Sequence, residues 1–287
     1  MSQSLCILHA NCQGDAIRLL LEATPAFARL FRIRHYRNYT CESLGEDLGR
    51  CTLLLHQFLG EQWGALSTQE VLQRLPGQCR HLELPNLFFK GYWPFWANRG
   101  PGEIHFADSL LERLLANGLS PEEVLRLYLH GDTALLGDVA AVAEDSIVRE
   151  EAKEAGKAIG CAHILRERWR EEQLFLTINH PGSELLCHVA DSVLRLLGLG
   201  PLPASVRAAF RHPHEDFWLP IHPRVGQRLG LPFVTPERRY PIFGRQLTHS
   251  QYVSAYLACR QHNVTDLLGF LQNLADDTLS TAHPVSC

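Results

Sequence analysis

The first candidate for covalent chemistry is Cys12, which lies in a short polar turn near the start of the chain. The apolar run Leu5 to Leu8 before it predicts a buried strand, and Asp15 to Glu22 after it has the apolar spacing of a helix. In open α/β sheets ligands bind where a strand ends, and the free N–H groups of a first helical turn lower the pKa of a nearby thiol. We therefore expect Cys12 to be a reactive thiolate, with a small buried residue that closes the turn as the alternative.

His180 lies in a second turn of the same kind, in the sequence Asn-His-Pro-Gly. The apolar run Leu174 to Ile178 predicts a fifth strand before it, and Ser183 to Leu197 predicts an amphipathic helix after it. A thiolate can attack a carbonyl group while an imidazole moves the proton. A cysteine and a histidine at the ends of two strands of one sheet therefore predict an acyl-transfer centre.

Side-chain amides follow the other predicted strands. Gln13, Gln57 and Asn86 lie at or just beyond the ends of strands one, three and four, and Asn179 could orient His180. A tetrahedral intermediate needs hydrogen-bond donors, which amides and the N–H groups of a helix start can supply. If the sheet is parallel, all these groups gather at one edge and form a cleft.

Strands alternate with helices through the first part of the chain. Further strands are predicted at Phe31 to His35, Leu53 to Phe58 and Arg80 to Leu84, with a helix over Ser67 to Leu75. This alternation predicts an α/β fold with a parallel, doubly wound sheet of the flavodoxin-like or SGNH-like kind. Neither a dinucleotide fingerprint nor a phosphate-binding P-loop follows any strand.

Residues 1–287 are expected to form a single α/β domain, to which the rest of the chain adds two further segments. Residues 104–172 predict a helical insertion, in which Asp138 to Glu172 form one long helix or two joined near Gly156 to Gly160. The Ser-Pro-Glu-Glu sequence from Ser120 is a strong helix start. Residues 200–250, rich in Pro, Arg and His, predict an irregular C-terminal excursion over the cleft, and two helices follow, over Ser250 to Arg260 and Thr265 to Leu274.

An aromatic loop from Leu87 to Pro101 carries two Trp, three Phe and one Tyr. It predicts either the wall of a ligand cleft, in which Lys90 and Arg99 supply cations, or a loop that packs its rings onto the core. The sequence leaves these two interpretations open.

Composition excludes several classes of function. The chain has 287 residues, 46% of them hydrophobic and 20% charged, and a net charge of −4, values typical of a soluble globular protein. A chain with this charge and no long basic run is not expected to bind nucleic acid. No apolar stretch approaches the roughly 20 residues of a membrane span, and no signal peptide is expected. A homo-oligomer is compatible with the sequence.

Nine cysteines are scattered through the chain without a CxxC pair. This pattern favours reduced thiols in a cytoplasmic protein over disulfides or a structural zinc site. Among fifteen histidines, His212 and His214 come nearest to a metal cluster. A polar loop is the favoured interpretation there, and we predict no metal site.

Five short motifs resemble the WcbI-type polysaccharide biosynthesis proteins: NCQ after strand one, HQ at the end of strand three, PN after strand four, TINHP before the late helix, and IHPRVGQRLGL. The resemblance extends from Leu5 to about Leu231. The strand-end layout is also similar to SGNH-type hydrolases, with Cys12 where their serine stands. In those enzymes an Asp precedes the His by three positions, where this chain has Thr177, and their GDS block is absent here.

The resemblance implies coenzyme A or acetyl-coenzyme A as substrate, and acetylation of a sugar of a capsular or other surface polysaccharide or its precursor. The implied reaction uses Cys12 as nucleophile or acyl-positioning thiol, His180 as general base, and Gln57 with Asn86 as oxyanion donors. In a direct-transfer variant His180 deprotonates the sugar and Cys12 only lines the site. Asn11, Gln13 and Gly14 are expected to bind the cofactor at the first turn. The resemblance does not identify the phosphate contacts, for which Arg18, Lys90 and Arg99 are expected because they are cations near the predicted cleft.

Two rival functions remain open from the sequence. The same cysteine and histidine could hydrolyse an ester without coenzyme A, as a thiol esterase or deacetylase. Alternatively, the chain is a non-catalytic binding protein of a polysaccharide assembly complex, in which Cys12 has ordinary thiol reactivity.

Overall fold

The computed structural model describes residues 3–97, 104 and 106–274. Within these residues the strands are β1 (Ser4–Ala10), β2 (Phe31–Arg37), β3 (Cys51–Gln57), β4 (Arg80–Leu84), β5 (Trp96–Ala97), β6 (Ala107–Asp108), β7 (Phe175–Thr177), β8 (His180–Pro181), β9 (Arg239–Ile242) and β10 (Arg245–Thr248). The α-helices are α1 (Gln13–Glu22), α2 (Pro25–Ala28), α3 (Asp47–Arg50), α4 (Thr68–Gln73), α5 (Ser109–Ala116), α6 (Pro121–His130), α7 (Val139–Glu154), α8 (Ala162–Arg168), α9 (Ser183–Leu196), α10 (Ala204–Ala209), α11 (Pro223–Leu229), α12 (His249–Gln261) and α13 (Leu267–Gln272).

The central element is a four-stranded sheet with the order β2-β1-β3-β4. All three strand pairs are parallel, which confirms the predicted α/β class. β1 and β3 are buried along nearly their whole length, as expected for inner strands covered on both faces. The edge strand β2 instead alternates between half-buried and exposed positions over most of its length. The strand order reverses between β1 and β3, so this is the switch point where such sheets bind ligands.

The helix α1 covers the sheet beside β1. Its apolar face, Ile17, Leu20 and Leu21, is almost completely buried, as the sequence pattern predicts. α1 packs against α9 and β2. The start of α1 is thereby fixed relative to the ends of both β1 and β2.

The contacts divide the chain into two compact units. The first takes the chain up to Phe88, Ile147–Trp169 and Asn179–His214, and the second takes Phe89–Ser146, Arg170–Ile178 and the chain from Glu215 onward. The first unit contains the four-stranded sheet with its helices. The second contains α5, α6, α11 to α13 and the β9–β10 hairpin. The single domain of the sequence analysis thus consists of two units, since each buries its own set of apolar side chains.

The predicted fifth strand is not part of the parallel sheet, and this prediction was wrong. Only Phe175–Thr177 are extended, and the four-stranded sheet does not include them. The physical reason lies in the backbone hydrogen bonds of this stretch. Leu219 N–H donates to Leu176 O at 2.8 Å, and Phe89 N–H donates to Ile178 O at 2.8 Å. These bonds tie the segment to other parts of the second unit.

The predicted insertion is helical, as the sequence indicated, whereas the excursion is more regular than the sequence indicated. Of the two alternatives for the long helical stretch, the structure has two helices, α7 and α8, and the Glu154 carboxylate accepts from the N–H groups of Cys161 and Ala162 at their junction. Residues 200–250 are not an irregular excursion, since they contain α10, α11 and a hairpin. The proline-rich sequence concealed α10 and the hairpin, whereas the short helix expected around Val225 to Leu229 is present as α11, which Pro223 begins at a position where proline is favourable.

The helix caps follow the sequence closely. Ser120 begins α6 with a capping box, and Asp108 accepts from Leu110 and Leu111 N–H at the start of α5. Among the described residues, none of the helices is long and apolar enough to pass through a bilayer.

Candidate functional site

Cys12 is the N-cap of α1, directly after β1 at the switch point of the sheet. Asn11 shapes this turn: its Oδ1 accepts from Gln13 N–H at 2.9 Å, and its carbonyl accepts from Gly14 N–H at 2.9 Å. A Cβ on Gly14 would lie 2.5 Å from His35 Nε2 and 3.0 Å from Ala10 Cβ. Glycine is therefore required for the helix to start this close to β2.

Gln13 binds the second turn to the first. Its side chain is 3% exposed, and its Nε2 donates to Leu87 O at 2.8 Å and to Asn179 O at 2.9 Å. Its Oε1 accepts from Leu87 N–H at 3.2 Å. One buried amide thus holds the residue before His180 next to the residue after Cys12. This bond positions His180 beside Cys12, and His180 does not follow a strand of the parallel sheet.

Gln57 completes the framework beneath the turn. Its Oε1 accepts from Asn11 N–H at 2.8 Å, and its Nε2 donates to Gln13 Oε1 at 3.3 Å and to Pro85 O at 3.2 Å. Both donor hydrogens of this amide are therefore used within the protein. The structure brings Gln57 to the site but assigns its donors to the framework, which leaves none for an oxyanion.

Asn86 has a different arrangement. Its Oδ1 accepts from Asn11 Nδ2 at 3.1 Å, and its carbonyl accepts from Lys153 Nζ at 2.6 Å. This side chain is exposed. The bond from Asn11 uses the oxygen of the amide and not its donor group, Nδ2.

Cys12 and His180, the two residues expected to form a pair, lie close together. Cys12 Sγ lies 3.2 Å from His180 Nε2, although the two residues are 168 positions apart in sequence. Both side chains are half-buried. This distance permits direct proton transfer between the thiol and the imidazole.

The electrostatics of the pair differ from the predicted thiolate. Burial raises the pKa of the Cys12 thiol, and the Asp15 carboxylate raises it further. The N–H groups of Cys12 and Gln13 lower this pKa, as expected for a helix start, but their effect is smaller than that of burial. Burial also lowers the pKa of His180 to about 3, with additional lowering by His214 and His212. The resting pair is therefore a neutral thiol beside a neutral imidazole.

A second histidine stands behind the pair. The His214 ring stacks on His180, with 4.6 Å between ring centroids and 18° between planes. His212 fixes this arrangement, because its Nε2 contacts Pro181 O at 3.0 Å and its Nδ1 accepts from His214 N–H at 3.1 Å. The sequence analysis placed His212 and His214 in a polar loop, and only the fold brings His214 to Cys12.

Comparisons with known proteins identify the family and the fold of this chain. The family model described as "Polysaccharide biosynthesis enzyme WcbI" matches residues 5–202. The chain belongs to the WcbI family. A solved structure with a TM-score of 0.74 and 16% sequence identity covers 98% of this chain and 93% of that chain. It is described as WcbI, a novel polysaccharide biosynthesis enzyme, as native protein without a disulfide bond between coenzyme A and one of its cysteines. None of the curated proteins matches the chain significantly.

The three cations that were expected to bind a cofactor in this WcbI-family chain lie in different parts of the sequence. Arg18, on α1, pairs with Glu22 at 2.7 Å and is about one-third exposed. Lys90 lies in the second unit, where its N–H donates to Ser146 Oγ at 2.9 Å. Arg99 lies outside the described residues.

Sequence reasoning missed an arginine near the thiol. Arg37, at the end of β2, binds both carboxylate oxygens of Asp15, at 2.8 and 3.2 Å, and its side chain is 48% exposed. His35 Nδ1 contacts the same carboxylate at 3.2 Å. The strand-end rule could have identified Arg37, since it ends a strand that is adjacent to β1.

A cavity of about 430 Å³ opens beside Asn86 in the first unit, lined by Phe58, Glu83, Leu84, Pro85, Asn86, Glu150, Lys153, Glu154, Lys157 and Ile159. Phe58 is 61% exposed, and the two lysines are 46% and 39% exposed. The exposed ring suits a flat ligand, and the two lysines pair with the Glu150 and Glu83 carboxylates at 2.6 and 2.9 Å. The sequence analysis did not identify these residues because the lysines lie on α7 and just after it, far from the strand ends in sequence.

The aromatic loop is largely a packing element. Phe89 and Tyr92 are fully buried, and Tyr92 makes edge-to-face contacts with Phe89 at 4.8 Å and with Trp93 at 5.5 Å. Trp93 Nε1 donates to Leu219 O at 3.1 Å. These rings form part of the core of the second unit, in agreement with the core-packing interpretation.

Proposed function

We propose that this protein is an acyl-coenzyme A-dependent acyltransferase that acylates a sugar hydroxyl of a polysaccharide or its precursor. The WcbI family consists of polysaccharide biosynthesis enzymes, and the chain belongs to it. The observation that carries the proposal is the 3.2 Å contact between Cys12 Sγ and His180 Nε2 at the switch point of the sheet. A thiol and an imidazole in contact are the groups that acyl transfer from a thioester requires.

Coenzyme A enters the proposal through the structural neighbour. Its description names coenzyme A together with a cysteine. We infer that the thiol end of coenzyme A reaches Cys12 here, and that the nucleotide end occupies the cavity lined by Phe58, Lys153 and Lys157. The eight described cysteines are free thiols, which supports a reducing compartment such as the cytoplasm.

The proposed reaction begins from the neutral pair. His180 Nε2 removes the Cys12 proton as Sγ attacks the thioester carbonyl, and the proton leaves with the coenzyme A thiol. His180 then removes the proton of the sugar hydroxyl, whose oxygen attacks the Cys12 thioester and restores the thiol. In the direct-transfer variant the sugar oxygen attacks acyl-coenzyme A itself, and Cys12 only lines the site.

The negative charge that develops on the carbonyl oxygen needs donors in this scheme. We assign this role to the backbone N–H of Cys12, at the start of α1, and to Asn86 Nδ2. Gln57 supports both positions through Asn11 and Pro85. Fixed donors of this kind contribute several kcal/mol when they face the developing charge.

Turnover of acetyl-coenzyme A with a panel of sugar acceptors tests the proposal. His180→Ala should lower kcat by about 10²–10⁴-fold, because it removes the general base. In the covalent route Cys12→Ala abolishes turnover, and mass spectrometry of the wild-type protein detects an acetyl group on Cys12. Unchanged turnover of Cys12→Ala would exclude that route and favour direct transfer. Cys41→Ala, at an exposed cysteine, is the matched control.

Ligand binding can be measured without knowledge of the acceptor. Coenzyme A at 100 times its Kd should stabilise the folded protein by about 2.7 kcal/mol and raise the unfolding temperature by a few degrees. No shift at millimolar coenzyme A or acetyl-coenzyme A would contradict the proposal. Acetate release from an acetylated glycan in the absence of coenzyme A would replace the transferase with an esterase.

A further inference from the structure

Three side chains of the site have the donor atoms of a metal centre. One sulfur and two imidazole nitrogens, from Cys12, His180 and His214, all lie within 4.8 Å of one another. All three residues belong to the first unit. Thiolate and imidazole are the ligands that zinc prefers in proteins.

An unpartnered nitrogen points to a missing ligand at this place. His214 Nε2 is buried and has no hydrogen-bond partner, which is costly for a polar atom. The other ring nitrogens of this loop that the contacts describe are used, since His212 bonds through both Nδ1 and Nε2. A metal ion would supply the partner that His214 lacks.

The spacing of the donor atoms is close to that of a zinc site. Tetrahedral zinc with bonds of about 2.0–2.3 Å holds its ligand atoms about 3.5 Å apart. Cys12 Sγ and His180 Nε2 are 3.2 Å apart, and the longest separation among the three atoms is at most 4.8 Å. To bind the same ion, the His214 ring must also turn out of its stack on His180, because the lone pairs of nearly parallel rings do not converge on one point.

The surroundings favour a cation with an open coordination position. His212 holds the backbone of His214, as the outer partners of metal ligands commonly do. Three protein ligands leave the fourth position of a tetrahedral ion free for water or substrate.

We propose that Cys12, His180 and His214 bind a single zinc ion and that the bound ion blocks acyl transfer. The Cys12 thiol releases its proton to water as the sulfur–zinc bond forms, and the two neutral imidazoles each donate a lone pair. Zinc then occupies the Sγ and Nε2 atoms that the acyl-transfer reaction uses. The proposal that zinc binds depends on the three donor residues alone. The proposal that zinc inhibits acyl transfer rests on the proposed function.

Cobalt(II) provides a direct test of binding, because a cobalt–thiolate bond produces an intense charge-transfer absorption. Titration of the reduced full-length protein under anaerobic conditions should give this band, saturating at one equivalent, and zinc should remove it. Cys12→Ser should abolish the band. His214→Ala should weaken cobalt affinity by about tenfold or more, since loss even of an outer partner costs a metal site 10–100-fold.

Two control variants separate the site from adventitious binding. Cys41→Ser removes an exposed thiol elsewhere, and His188→Ala disrupts the His163–His188 ring pair, whose centroids are 5.3 Å apart. Both should retain the band and its affinity. Absence of the band in wild type, or its persistence in Cys12→Ser, would overturn the proposal.

A measurement on the wild-type chain guards against variants that fail to fold. Stoichiometric zinc should slow alkylation of Cys12 at least tenfold, as read by peptide mass spectrometry, and leave Cys41 unaffected. Equal labelling of Cys12 with and without zinc would also overturn the proposal that zinc binds there.

Inhibition of acyl transfer is tested by measuring turnover with zinc and after its removal by a chelator. Turnover that is insensitive to zinc while the cobalt band is present overturns only the inhibitory role, and absent turnover counts only against the proposed function.

Discussion

At the scale of single residues, the pair of Cys12 and His180 is neutral at rest. Burial and Asp15 outweigh the helix-start N–H groups that favour a thiolate, and burial also disfavours the charged imidazole. The proton therefore stays on sulfur until the carbonyl group of a bound thioester contacts Sγ. A neutral thiol of this kind is protected from general alkylating and oxidising agents in the absence of substrate.

This neutrality predicts the pH profile of Cys12 labelling. Because the pKa of Cys12 is raised, its thiolate fraction grows only at a higher pH than that of an ordinary thiol. Iodoacetamide labelling of Cys12, followed by peptide mass spectrometry from pH 6 to 10, should have its midpoint above the ordinary thiol pKa of about 8.5. A Cys12 midpoint below that value would show a thiolate and contradict the neutral pair.

Gln13 is the residue whose loss should be most visible in stability. Gln13→Leu removes the partners of Leu87 N–H and O and of Asn179 O, and unsatisfied buried groups cost about 1–3 kcal/mol each. We expect the free energy of unfolding to fall by about 2–4 kcal/mol in urea denaturation. Gln69→Leu, at an exposed position on α4, should change it by less than about 0.5 kcal/mol. Equal effects of the two variants would exclude the bridging role of Gln13.

Sequence reasoning found most residues of the site, but not all for the right reason. Gln57 and Cys12 lie at the ends of inner strands, where the parallel-sheet rule placed them. The sequence predicted that His180 lies near Cys12. The bond from Gln13 to Asn179 O holds it there, and not a fifth strand of the parallel sheet. His214 was beyond prediction, because its position depends on contacts with His180 and His212 that no local pattern encodes.

At the scale of elements, the junction of β1 and α1 sets the geometry of the site. The helix begins so close to β2 that no side chain fits at Gly14. Strand and helix types at this junction could be predicted, since apolar runs and spacing decide them. The strand at Phe175–Thr177 could not be assigned to a sheet, because an apolar run does not reveal which backbone it pairs with.

Gly14→Ala tests this close approach. Its new Cβ would be 2.5 Å from His35 Nε2, so the helix start or the histidine must move, and overpacking costs about 1–3 kcal/mol. Thermal or urea unfolding should show this loss. Gly49→Ala is the matched control, because it lies in the helix α3 with nothing near its Cβ and should be neutral or stabilising by up to about 1 kcal/mol. A Gly14→Ala protein as stable as Gly49→Ala would contradict the predicted clash.

At the scale of the whole molecule, each unit contains an acid whose carboxyl pKa is raised by burial. Burial raises the pKa of Glu150 to about 7 in the first unit, and that of Asp108 to about 6 in the second. A raised carboxyl pKa means that the folded chain binds the proton more tightly than the unfolded chain. The contribution to stability is therefore fully present below the ordinary pKa and is lost as pH rises through the folded value.

Glu150→Gln should remove this pH dependence in the first unit. Between pH 5 and 8 the wild type should lose up to about 3 kcal/mol relative to the variant, as judged by urea unfolding at each pH. Glu151→Gln, at a neighbouring position with a 40% exposed side chain, should keep the wild-type slope over this range. Parallel slopes for wild type and Glu150→Gln would show that Glu150 is ionised in the folded protein at neutral pH.

The interleaving of the two units has a consequence for the newly made chain. Cys12 leaves the ribosome 168 residues before His180. At about 5–20 residues per second, the nascent thiol waits roughly 10–30 s for its imidazole. During that interval it lacks the enclosure that keeps it protonated. The fold therefore cannot enclose the Cys12 thiol until the segment that carries His180 has been synthesised.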